Sequence, residues 1–80
     1  MYYYVYLLQS INYPKKIYVG YTDNLKARIK GHNEGKSNHT RQYKPWRLMT
    51  CLLFDNQAKA IAFEKYLKSG SGRAFAIKRL

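Results

Sequence analysis

Two aromatic-rich runs near the N-terminus limit what this chain can fold into more than any other feature. The run from Tyr2 to Leu8 (YYYVYLL) and the run from Lys16 to Thr22 (KIYVGYT) are dense in the aromatic and β-branched residues that suit a pleated, half-buried surface. Between them Gln9 to Lys15, with Asn12 and Pro14, supplies a turn. Two strands joined this closely are expected to lie antiparallel. In the second run Ile17, Val19 and Tyr21 fall on one face, expected to pack inward, and Tyr18 and Gly20 on the other. Glycine inside a strand weakens it and marks a bulge or a close approach. Gly20 is therefore expected to leave an open patch beside Tyr18.

The remaining elements follow from punctuation. Asp23 or Thr22 can cap a helix beginning near Asn24, with Leu25 and Ile29 as its apolar stripe and Gly31 and Gly35 bracketing its end. From Asn33 to Pro45 the chain is polar and reads as an irregular loop. Trp46 to Phe54 forms a third strand. Asn56 or Asp55 can cap a second helix running to about Ser69, with Ala58, Ala62, Phe63, Tyr66 and Leu67 as its buried arc. Glu64 lies about 60° around that helix from Leu67, at the edge of the arc. Ser69 to Gly72 breaks the helix, and Arg73 to Leu80 reads as a short basic terminal helix. The order β-β-α-β-α-α gives an α+β fold, a small sheet with helices against it, in one domain over residues 1–80.

Charge narrows the partners. Fifteen Lys and Arg against four Asp and Glu give a net charge of +11, spread along the chain rather than held in a tail. Such a field attracts polyanions, nucleic acid first among them, and real phosphate contacts weaken steeply with salt. Nine tyrosines suit sheet and core duties, with base stacking open to exposed ones. Cys51 is the single cysteine, which excludes an internal disulfide; its apolar surroundings predict a buried small hydrophobe. The N-terminus lacks a signal-peptide layout and no apolar run is long enough to span a membrane, so a cytoplasmic location is expected.

The sequence holds no GxGxxG, P-loop, HExxH or cysteine pair for zinc. Its few acids make each one informative. Asp23 and Asp55 sit where helices begin, and Glu34 lies in a loop. Glu64 is different, a mid-helix carboxylate beside a buried arc. It can pair with Lys68 at i,i+4, or it can hold Mg²⁺, which often takes one or two protein carboxylates plus water and phosphate. Arg28 and His32, four apart on one helical face, can clamp a phosphate or stand as exposed polar groups. Lys36, His39, Thr40, Arg41 and Arg73 are candidate nucleic-acid contacts, a role that a solvated loop explains equally well for His39, Thr40 and Arg41.

Together these residues resemble the GIY-YIG nuclease superfamily over nearly the whole chain. The two naming motifs stand as Tyr4-Val5-Tyr6 and Tyr18-Val19-Gly20, followed by Arg28, His32 and then Glu64 on the next long helix. The chain is similar to the small stand-alone members related to the incision domain of bacterial nucleotide-excision repair. The resemblance implies a three-stranded antiparallel sheet flanked by helices, and a divalent-metal-dependent endonuclease acting on DNA; selection by DNA structure is expected, with low sequence specificity because a domain of 80 residues has little surface beyond its active face. By the same resemblance Glu64 would hold one Mg²⁺ or Mn²⁺ ion and Tyr18 would be general base or orient the attacking water. Tyr6 would support water or phosphate, Arg28 would stabilise the phosphoryl oxygens, and His32 would stand near the reacting centre. A phenol with pKa about 10 is nearly all protonated at neutral pH, so Tyr18 can be the base only if its surroundings lower that value.

Two positions depart from the family pattern: Tyr4 replaces the name-giving glycine, and no asparagine follows Asn56. Ser69, Ser71 or Arg73 are the candidates to replace that asparagine. The alternative is a non-catalytic nucleic-acid-binding module that keeps the fold. If Gly20 gives clearance beside Tyr18, Gly20→Val should hurt catalysis more than folding.

Overall fold

The two N-terminal runs form a hairpin in which β1 (Tyr3–Ser10) pairs antiparallel with β2 (Ile17–Thr22), setting Tyr6 opposite Gly20 and Leu8 opposite Tyr18. The structure is a computed structural model and describes residues 1–80. On the other edge of β1 lies β3 (Trp46–Phe54), also antiparallel, so the sheet order is β2-β1-β3. Pairing with β3 slips by one residue: Leu7 stands opposite Thr50 and Leu8 opposite Leu48, which leaves Met49 as the extra residue of a bulge. Three helices complete the expected order, α1 (Leu25–Asn33), α2 (Gln57–Leu67) and α3 (Gly70–Arg79).

Each helix starts on a side-chain cap. Asn24, Asn56 and Ser69 accept the backbone N–H groups of Ala27, Lys59 and Gly72 respectively. The α1 cap is therefore Asn24 itself, not Thr22 or Asp23. Thr22 instead takes the Asn24 N–H on its hydroxyl at 3.1 Å.

β1 is the central strand and has helices on both sides, so Val5, Tyr6, Leu7 and Leu8 are all buried. One face joins Val5 and Leu7 to Ala60 and Leu67 of α2, with Val19, Tyr21, Phe63 and Phe75 packed around them. Burying each leucine there contributes roughly 1.5–3 kcal/mol. Val19 and Tyr21 pack inward as the alternation predicts, but Ile17 at the start of β2 is exposed. The buried arc of α2 is Ala60, Phe63 and Leu67; Ala58 and Ala62 are exposed, and Tyr66 is largely so. An alanine reads the same on either side of a helix, so the sequence did not reveal which of the three faces β1.

The helix break is narrower than the Ser/Gly composition suggests. Gly70 to Gly72 form the first turn of α3. A Cβ on Gly72 would stand 1.7 Å from the Tyr66 carbonyl oxygen, so α3 meets the end of α2 backbone to backbone.

The second face of the sheet carries Tyr6, Leu8 and Trp46, covered by Leu25 and Ile29 of α1. Nine residues of α1 do not reach the far part of β3, where Leu48, Cys51 and Leu53 are exposed. Cys51 is thus not the buried hydrophobe expected from its apolar neighbours. It stands opposite Tyr6 on the uncovered part of this face.

Candidate active site

Tyr6 is the centre of the α1 face, its ring fully buried. A Cβ at residue 20 would lie 2.3 Å from both Cζ and Oη of Tyr6. Gly20 does supply clearance, but the ring that fills it is its cross-strand partner Tyr6. The expectation of an open patch beside Tyr18 is corrected accordingly. Tyr18, half-buried and two residues before Gly20 on the same side of β2, has its ring centroid 6.3 Å from that of Tyr6 and 4.9 Å from that of His32.

The i,i+4 spacing of α1 brings Arg28 and His32 over these two rings. Arg28 is exposed, and its guanidinium beside the Tyr6 and Tyr18 phenols strengthens its own hold on its proton. His32 is buried, with Nε2 2.9 Å from the Tyr6 hydroxyl and Nδ1 2.7 Å from the Thr40 hydroxyl. Burial, helped by the charge of Arg28, holds the imidazole below its ordinary pKa. Burial also pushes the Tyr6 phenol up, with Tyr18 and Glu64 adding to the rise and Arg28 opposing it. Glu64 on α2 is close enough for its charge to reach Tyr6, and it is ion-paired with Lys68 in the i,i+4 manner that its spacing allows.

The nucleic-acid contacts expected from the sequence divide. His39 and Arg41 are exposed, and Lys36 is exposed but paired with Glu34 at 3.2 Å. Thr40 is buried and cannot touch a nucleic-acid backbone. Its place is set by the start of β3. The Trp46 indole N–H donates to the Thr40 carbonyl at 2.8 Å, and the Asn33 side chain clamps the Trp46 backbone through both its N–H and its C=O. These partnerships were missed from sequence. The available signal was Trp46 itself, because a buried indole N–H needs an acceptor. Arg73 is exposed on α3. With Lys15, Lys16 and Lys68 it lines an open cavity of about 590 Å³ whose apolar lining includes Leu7, Val19 and Met49. Tyr18 lines the same cavity, which therefore adjoins the tyrosine cluster, and Lys68 links its wall to Glu64.

Comparison with known proteins fits this geometry. The GIY-YIG catalytic domain matches residues 2–77. The UPF0213 protein CPE1444 of Clostridium perfringens is 38% identical over 66 residues, covering 81% of this chain and 69% of the relative. The structure-specific endonuclease subunit SLX1 of Debaryomyces hansenii is 35% identical over 69 residues, which are 79% of this chain but only 20% of that protein. The solution structure of the UPF0213 protein BH0048 from Bacillus halodurans superposes with a TM-score of 0.59 at 31% identity, covering 98% of this chain and 84% of that one. With both naming motifs paired across β1 and β2 and the match running almost end to end, the chain belongs to the GIY-YIG family.

Proposed function

We propose that this chain is a divalent-metal-dependent endonuclease that hydrolyses phosphodiester bonds in DNA, selecting structure more than sequence. The observation that carries this reading is the convergence of Tyr6, Tyr18, Arg28 and His32 on one sheet face with the charge of Glu64 in reach. A net charge of +11 supports a nucleic-acid substrate. The structure-specific activity in the name of the SLX1 relative supports selection by structure.

Roles follow from exposure. Arg28, exposed and always charged, stabilises the phosphoryl oxygens as charge develops. Tyr18 is half-buried and within reach of solvent, so it orients the attacking water or takes its proton. Tyr6 is buried with a raised pKa, stays protonated, and acts as a hydrogen-bond donor rather than a base. An Mg²⁺ or Mn²⁺ ion is often held by one or two protein carboxylates with water and phosphate completing the shell, and Glu64 is a single, largely covered carboxylate of that kind. Glu64 would hold that ion, which supplies Lewis-acid neutralisation of the phosphate when bound. Lys68 must first release Glu64, and a half-exposed lysine gives up an ion pair at little cost.

The Glu64–Lys68 pair, together with the missing downstream asparagine, also favours a second reading: a binding module that keeps the fold without catalysis. A cleavage assay on duplex, nicked, branched and single-stranded DNA, and on RNA, with Mg²⁺ or Mn²⁺, decides between them. Glu64→Ala should lose cleavage and keep binding. Equal cutting by both proteins removes Glu64 from the site. Binding by both without cutting establishes the module.

A further inference from the structure

The cavity beside the tyrosine cluster has an apolar floor, cations around its mouth and no acid in its wall. We propose that it takes the base of an unpaired nucleotide in a DNA strand that runs on past Tyr18. This rests on the nuclease reading and names the structure that reading would select: a flap, a branch or a strand end rather than continuous duplex.

The lining residues divide by exposure into two sets. Leu7, Val19, Met49 and Leu67 are covered, and as the floor they pack with Ala76 of α3 in the apolar core. Ile17 at the start of β2 and Ile77 on α3 line the same cavity, yet they are 42% and 86% exposed. Core packing explains neither of these two. Aliphatic groups left in water at the opening of a cavity give an apolar surface for the flat face of a base. The volume of about 590 Å³ lies within the range of about 300–1,000 Å³ typical of sites for small organic groups.

Charge selects the kind of ligand. Lys15, Lys68 and Arg73, all exposed, reach the cavity from the turn before β2, the end of α2 and α3. Lys16 lines it as well, although its ammonium lies over the Tyr43 ring, 5.1 Å from the centroid. None of the chain's four acids belongs to the lining. Lys15 and Arg73 have no carboxylate partner, and Lys68 has only Glu64. Free cations on three separate elements suit the successive phosphates of a strand better than the single head of a fatty anion. Tyr18 supplies the continuity, because it belongs both to this wall and to the cluster with Tyr6 and His32. Bases in a duplex are stacked and paired, whereas an unpaired base turns outward at little cost.

The test measures binding by fluorescence anisotropy without divalent metal, so that no cutting intervenes. The probes are labelled oligothymidylate, an abasic strand of the same length and a blunt hairpin duplex. The chain should bind oligothymidylate about tenfold more tightly than the abasic strand. Ile77→Glu, a change at an exposed position, should erase that preference. Lys78→Gln removes the same unit of charge one residue away, outside the lining, and should keep it. In methyl NMR of the unaltered chain, oligothymidylate should shift Ile17 and Ile77 and leave Ile61, outside the lining, in place. Equal affinity for the two single strands overturns the proposal, as does a preference that survives Ile77→Glu or disappears equally with Lys78→Gln. Ile17 and Ile77 signals that move with decanoate but not with oligothymidylate overturn it too, and give the cavity to a small amphipathic anion. If the chain cuts nothing while the base preference holds, the nuclease reading fails and the nucleotide site stands. If it cuts without any base preference, the site fails and the nuclease reading stands.

Discussion

The two faces of β1 are equally buried and differently built. Val5 and Leu7 turn toward Ala60 and Leu67 in a cluster with no polar member, whereas Tyr6 and Leu8 turn toward a face that also buries His32 and Thr40. The first face holds the fold by area alone. The second adds hydrogen bonds whose members are each fixed by the next, an arrangement that is costly when incomplete and specific when whole. In a domain this small, one strand thus separates the work of staying folded from the work of holding a site.

That division can be broken or sharpened by substitution. The largest effect is expected from Leu67→Ala on the apolar face, a loss of about 3 kcal/mol in denaturant melts, while the fraction that remains folded cuts at the normal rate. A collapse of cleavage per folded molecule would show that the faces are coupled. Arg28→Ala on the other face should do the reverse, reducing cleavage about 100-fold with the melting temperature nearly unchanged. Gly20→Val tests the seam between them. Its side chain must displace the Tyr6 ring, so stability should fall by about 1–3 kcal/mol and cleavage with it. An intact melt would mean that Tyr6 can leave its place freely.

A smaller effect is expected from pH. His32 has a lower pKa folded than unfolded, so the unfolded chain binds the proton more readily. Its contribution to stability is complete above the ordinary value of 6.5 and is lost as pH falls through the lowered folded value. Melts between about pH 7 and pH 5 should show a slope that His32→Gln flattens. An unchanged slope in that variant would place the titration elsewhere. The smallest effect is expected from Cys51→Ser on the uncovered strip, within about 0.5 kcal/mol of no change in stability.

The same contrast explains what could be read from the sequence. Strand alternation and helix punctuation are local, so the element order, the three-stranded sheet and the inward side of Val19 and Tyr21 were legible. Arg28 and His32 on one helical face, and Glu64 at the edge of its arc beside Lys68, were legible for the same reason. What failed was decided across the fold. Asn33 to Pro45 looks like a solvated loop because polar composition shows how many donors exist, not which of them a distant tryptophan pulls under the surface. Thr40 was misplaced for that reason. Gly20 pointed to a close approach, but only the strand register identifies Tyr6 as the group that approaches. Cys51 looked buried because its neighbours are apolar, and only the length of α1 leaves it uncovered.

That uncovered thiol has a practical value. It is the chain's one cysteine, exposed, and directly across the sheet from Tyr6. A fluorophore attached there would sit beside Tyr6 on the face of the tyrosine cluster, so the arrival of a DNA strand could be followed in real time by a reporter next to the site.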